Sequence, residues 1–383
     1  MIYLDYNATT PLCDAAREAM LPYLNRHFGN PSSVHAAGRE ARAAIDNARD
    51  KISAFLHAKP GEIIFNSGAT ESCNLGVLGL ARSASSQGGH IISNKAEHHA
   101  VLNAVEQLEN HEGFEVTWLN VSETGMVNLD QLAESIRPDT KLVSIMTANN
   151  ETGVIQPMRE ISRICRERDV LLHSDMVQAF GKFDVDVSLV DAGSFASHKF
   201  YGPKGAGFLF LRSGLPIQPI MFGGAHENQR RPGTENVAGI AGMAAAAEWV
   251  LRDADVESER EAKLRDELWG HIASVFPEAQ QNGDQAHRLA NTLNTSFINV
   301  DSETILMALD LEGVCASSGS ACMVGSVRAS HVLLAMGLPM ESAGSAIRFS
   351  LGRRTTAGEI ASAADALERI AKRTKDAREY ALA

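Results

Sequence analysis

Residues 62–82 read EIIFNSGATESCNLGVLGLAR. Four residues suited to a buried strand run into Asn-Ser-Gly, and a helix-like pattern follows over 70–82. The same strand-then-helix phrase recurs along the chain. HIIS at 90–93 precedes a helix over about 98–109, and KLVSIM at 141–146, VLLH at 170–173 and residues 194–196 continue the series. Short apolar strands separated by helices predict a mostly parallel sheet covered on both faces, an α/β fold.

After Gly233 the texture changes. An Ala-rich helix over 237–251 leads into a charged one over 257–275, then into a less regular α+β region. At 383 residues the chain is too long for one small core, and a domain boundary is expected near residue 250.

Composition excludes several function classes. Hydrophobic residues make up 44% and charged residues 21%, which is ordinary for a globular protein. A net charge of −12 argues against a general binder of nucleic acid or of anionic membrane surfaces. No apolar run approaches the roughly 18 residues of a membrane span, and MIYLDYNATTP at the start lacks a signal-peptide pattern. The five cysteines, at 13, 73, 165, 315 and 322, contain no C-x-x-C pair. Neither a disulfide framework nor a zinc site is expected, and the reading is a cytoplasmic protein.

In a parallel α/β sheet, ligands collect at the carboxyl ends of the strands. Asn66 to Glu71 offers small residues leading into a helix start, which suits a phosphate; the plain alternative is an ordinary helix capped by Thr70. Glu97-His98-His99 follows HIIS. A metal would need a third ligand that no spacing supplies, so a stacked ring or an acid/base fits His98 better. Asp175 ends a strand that reads as buried, where charges are usually paired. Lys199, in SHKFYGPKG at 197–205, is either a solvated charge or an amine held for Schiff-base chemistry. Cys322 lies in CASSGSACMVGS at 315–326, among Ser, Gly and Ala, a setting that suits a thiol that reacts more than one that packs. A phosphate cradle, a stacking His, a buried Asp and a strand-end Lys are together the parts that hold pyridoxal 5′-phosphate.

With those pieces assembled, the chain resembles the cysteine desulfurases of the NifS/IscS type, in the fold-type-I, class V aminotransferase group. The resemblance runs from end to end: YLDYNATTP at 3–11, FGNPSSVH at 28–35, SGATES at 67–72, EHHAVL at 97–102, NNETGVIQP at 149–157, SHKFYGPKG at 197–205, RRPGTENVAGI at 230–240, SSGSAC at 317–322 and IRFSLGR at 347–353. It implies a large cofactor-binding domain over 14–250 and a smaller α+β domain, 1–13 plus 251–383, carrying the catalytic-cysteine loop. It implies that Lys199 bonds the cofactor, Asp175 pairs with the pyridine nitrogen, and His98 stacks on the ring and moves protons. Ala69, Thr70, Ser197 and His198 would lie around the phosphate, Gln178 at the phenolic oxygen, and Asn150 and Arg348 at the substrate carboxylate. Thr234 would reach the phosphate of a neighbouring subunit, implying a homodimer.

Cys322 would attack the sulfur of L-cysteine, leaving L-alanine and a persulfide for an acceptor protein, with iron–sulfur cluster assembly the expected use and no membrane or nucleic-acid partner. The alternatives are a selenocysteine lyase or other class V lyase, and a non-enzymatic sulfur-relay or scaffold protein. The chain departs from the family pattern at Ala196, where a hydroxyl is usual, at Met176, expected to crowd the ring's underside, and at Met323-Val324.

Overall fold

The computed structural model describes residues 1–319 and 329–382, with side chains through residue 373. A seven-stranded sheet forms its centre. From one edge to the other the strands are Ile63–Asn66, Gly207–Leu211, Ala192–Ala196, Leu171–Asp175, Thr140–Ser144, Gly89–Asn94 and Phe114–Leu119. Only Gly207–Leu211 runs against its neighbours, so the sheet is mostly parallel as expected. The unbroken apolar run GFLFL is buried at every position, as a strand covered on both faces requires.

One face of the sheet buries a cluster that includes Ile45, Ile52, Phe195, Phe208 and Met243, and the other buries Leu75, Leu80, Val101 and Val105. Helices Ala36–Phe55 and Val237–Leu251 supply the first layer, and His99–His111 belongs to the second. The helix after Ile63–Asn66 is not uniform. It starts as Ala69–Asn74, widens into a π turn over Leu75–Gly79 and resumes as Leu80–Ala84. Gly76 lies there against the His173 ring, where a Cβ would stand 2.6 Å from Cδ2.

A separate core gathers Leu264, Leu268, Phe297, Phe349 and Leu367. It sits among helix Ala254–Val275, helix Ala357–Leu382 and a three-stranded antiparallel sheet of Ala346–Ser350, Thr292–Ser296 and Gln280–Gln281. The N-terminal stretch ties the two regions together. Leu4 is buried in the second core and Tyr6 in the first, two residues apart. Among the described residues, no helix is long and apolar enough to cross a membrane.

Candidate active site

The strands Leu171–Asp175 and Ala192–Ala196 end side by side and in parallel, with Asp175 in register with Ser194. That brings the carboxylate at the end of one strand near the turn Ser197–Lys199 that follows the other. Both side chains face a cavity of about 350 Å³, which is also lined by Ala69, Thr70, His98, Asn150, Gln178, His198 and Arg348. Segments from distant parts of the chain therefore meet where the strands end, the place a parallel sheet reserves for ligands.

Each group is held by partners that constrain its chemistry. The Lys199 amine donates to the backbone carbonyls of Asn7 at 2.6 Å and Ala8 at 2.8 Å. Asp175 accepts the Val177 N–H on Oδ1 at 2.9 Å, and the Cys73 thiol lies 3.6 Å from Oδ2. His98 caps helix His99–His111, its Nδ1 accepting from Ala100 N at 3.1 Å. That bond leaves the neutral ring's proton on Nε2. Burial lowers the His98 pKa, and the positive charge of Lys199 lowers it further against the pull of Asp175. Burial also takes His198 down to about 4, helped by Lys199 and Lys204, and its Nδ1 lies 3.2 Å from the Thr9 hydroxyl. Both rings are thus neutral near pH 7.

Arg348 is buried on strand Ala346–Ser350. Nη1 donates to Asn150 O at 3.0 Å and Nη2 to Asp5 Oδ1 at 2.7 Å. Its buried Nε has no hydrogen-bond partner among the described residues. At the helix start, Gly68 has φ 143° and ψ −170°, a conformation that glycine alone adopts readily. Thr70 is inside the helix and does not cap it, so the plain capped-helix reading fails; Gly68 stands at the cap position without a side-chain bond, and Thr70 is exposed on the cavity wall.

Two expected residues lie away from this cavity. Ser197 is fully buried, with Oγ facing Gly202, where an added Cβ would approach it to 1.9 Å. Thr234 is exposed in another cleft beside Tyr23, Phe28 and Pro31. Cys322 and the Met323-Val324 departure lie outside the described residues, while Gly319, three places before the cysteine, lines the cavity. Met176 does not crowd the site. Its side chain is buried in the apolar core, where a Cβ at Gly193 would lie 3.0 Å from its Sδ, and Val177 takes the place on the cavity wall. Sequence reasoning also missed the carbonyls of Asn7 and Ala8, for which the quoted YLDYNATTP motif was the only signal.

The family Aminotransferase class-V matches residues 2–362. The "Cysteine desulfurase IscS" of Dictyoglomus turgidum is 48% identical over 381 residues, covering 99% of this chain and 96% of that protein. The solved structure of a NifS-like protein superposes with a TM-score of 0.91 at 36% identity, covering 96% of this chain and 98% of the other. A structure described as SspA in complex with cysteine superposes with a TM-score of 0.82 at 35% identity over 92% of this chain and 99% of that one. With a family match over residues 2–362, 48% identity to an IscS over nearly its full length and a fold that superposes on a NifS-like protein, the chain belongs to the class-V aminotransferase family, among the cysteine desulfurases of the NifS/IscS type.

Proposed function

We propose that this protein is a pyridoxal-phosphate-dependent cysteine desulfurase, which takes sulfur from L-cysteine, releases L-alanine and passes the sulfur from Cys322 to an acceptor protein. The observation that carries the reading is the meeting of Lys199, Asp175, His98, Gln178 and Arg348 on one cavity in a chain 48% identical to an IscS. Its donor set fits the cofactor. An amine is available for the aldehyde carbon, a carboxylate for the pyridine nitrogen, an imidazole for the ring, and the helix start at Ala69 and Thr70 for the phosphate. The cofactor, when bound, supplies an electron sink for charge that develops beside the substrate amino group.

The rest belongs to the chain's own residues. The carbonyls of Asn7 and Ala8 aim the Lys199 amine, and the N–H of Val177 orients Asp175. Arg348 and Asn150 bind the substrate carboxylate, the guanidinium through the Nε–H that has no other described partner. His98 exchanges protons at Nε2, because Nδ1 is engaged by the helix it caps. The Cys322 thiolate attacks the cysteine sulfur, forming the S–S bond of a persulfide as the C–S bond breaks, and the substrate carbon takes up a proton to become alanine.

The two separate cores support a large domain over 14–250 and a small one made of 1–13 and 251–383. A homodimer is supported by the exposed apolar residues Phe28, Val34 and Phe222 and by the cleft that pairs Phe28 with Thr234 away from the cavity of its own chain. On this reading Thr234 completes the phosphate site of the neighbouring chain, while Ser197, fully buried with Oγ against Gly202, does not line it. A cytoplasmic setting and delivery to iron–sulfur cluster assembly complete the proposal. Purified protein supplied with pyridoxal phosphate, L-cysteine and a thiol reductant should form alanine and sulfide in equal amounts. Absence of alanine would overturn the reading.

A further inference from the structure

Gln178 and Asn7 are buried amides whose orientation matters to the cavity, and an amide can rotate by half a turn without changing shape. One residue that no part of the proposed chemistry uses touches both. The Lys182 amine donates to Gln178 Oε1 at 2.6 Å and to Asn7 Oδ1 at 2.8 Å. Gln178 Nε2 in turn donates to Asn7 O at 3.0 Å, the carbonyl that also receives the Lys199 amine. Asn7 is matched atom by atom. Oδ1 also accepts from Asn291 at 3.1 Å, while Nδ2 donates to Thr292 Oγ1 at 2.9 Å and Asn150 O at 3.2 Å.

Rotating Gln178 would set its N–H groups against the Lys182 amine and its oxygen against the Asn7 carbonyl, two mismatches at once. We infer that Lys182 is a positioning residue: its amine holds Gln178 with Oε1 turned away, so that the cavity meets the Nε2 donor and reads an acceptor atom on whatever binds there. The inference rests on the cofactor reading above, in which that acceptor is the phenolic oxygen of pyridoxal phosphate.

The two hydrogen bonds survive loss of the lysine's charge, although the lone pair of a neutral amine would accept from a rotated Gln178 and leave the clash with the Asn7 carbonyl as the remaining mismatch. Burial brings the Lys182 pKa down to about 7, with Glu261 drawing it up and Lys199 and Arg348 pushing it down. A neutral amine still carries the two N–H groups that the two oxygens need.

The test measures pyridoxal phosphate binding to the full-length apoprotein by visible absorbance in wild type, Lys182→Met, Gln178→Met and the double variant, with circular dichroism as the check on folding. Absence of binding by wild type would overturn the cofactor reading itself. Given wild-type binding, Lys182→Met should weaken affinity about tenfold, and by less than about twofold when Gln178 is already Met. An equal loss in both backgrounds, or no loss in either, would overturn the inference. Lys182→Gln keeps a donor for Gln178 and should stay within about threefold of wild type; a loss as large as that of Gln178→Met would overturn it too. That variant decides the matter if Lys182→Met does not fold.

Discussion

The guanidinium of Arg348 donates from Nη2 to Asp5 Oδ1 at 2.7 Å, joining positions 343 residues apart. A buried arginine held through both Nη atoms stays in the site, and that pairing leaves its Nε–H for a ligand. Arg348→Lys should weaken binding of cysteine by about 2 kcal/mol, roughly thirtyfold, while cofactor content is unchanged, because an ammonium restores charge but not the planar frame that holds Asp5 and Asn150 while presenting Nε–H to the substrate. Asp5→Asn keeps an acceptor and should cost less, about threefold to tenfold. Saturation curves for cysteine check both, and wild-type affinity in Arg348→Lys would remove that residue from the site.

Lys199→Ala should lose the yellow cofactor on extensive dialysis and lose at least about a hundredfold in alanine formation. The Ala8 carbonyl would then lose the Lys199 donor, while the Asn7 carbonyl would keep Gln178 Nε2. Retained absorbance together with normal turnover would refute the assignment.

Cys322→Ser should still bind pyridoxal phosphate yet form no persulfide, since a hydroxyl near neutral pH is a poor nucleophile towards sulfur. Of the described cysteines, Cys13, Cys73 and Cys165 are buried and Cys315 is half-buried at the end of a short strand. Burial pushes Cys165 up to about 12, holds Cys73 well above the ordinary thiol value with Asp175 adding to the effect, and raises Cys13 and, less buried, Cys315. Ser variants at those four positions should keep turnover. Mass spectrometry of the cysteine-treated protein should find the added sulfur on the Cys322 peptide, and its appearance on Cys315 would sink the mechanism.

Glu97 predicts a dependence of stability on pH. Its buried carboxyl accepts from Met146 N at 2.7 Å and Asn94 Nδ2 at 2.8 Å on Oε1, while Oε2 has no partner among the described residues. Burial, with Asp175 nearby, raises its pKa to about 8 from 4.5. Between those values the folded protein holds a proton that the unfolded chain releases. Wild-type stability should therefore fall as pH rises through that window, by up to about 1.4 kcal/mol per pH unit from this group. Glu97→Gln should gain on wild type steadily from pH 5 to pH 8 in denaturant melts. Parallel pH profiles for the two proteins would show that Glu97 does not titrate this way.

Much of the scaffold can be read from the chain because period and punctuation are local. The helix expected over 237–251 is Val237–Leu251, and the strand ends that position Asp175 and Lys199 follow from apolar runs that stop at polar residues. The strand Phe114–Leu119 escapes such a reading because its middle is only partly buried and lacks a clean apolar run. The π turn at Leu75–Gly79 escapes it because the pattern around it is helical throughout; only the close approach of Gly76 to His173 marks the site.

The chain alone determined the chemical types at the site, an amine, a carboxylate, two imidazoles and a guanidinium, since those are side-chain identities at strand and helix ends. Tertiary structure decided how they are held. Arg348 meets Asp5, Lys199 meets the carbonyls of Asn7 and Ala8, and Lys182 orients Gln178 through contacts whose geometry no local pattern encodes. It also decided that Met176 enters the core while Val177 faces the cavity, because the direction of a side chain past a strand end depends on how the backbone turns there. A backbone carbonyl has no residue identity to read, and a contact across hundreds of residues exists only once the two cores have brought the N-terminal stretch between them.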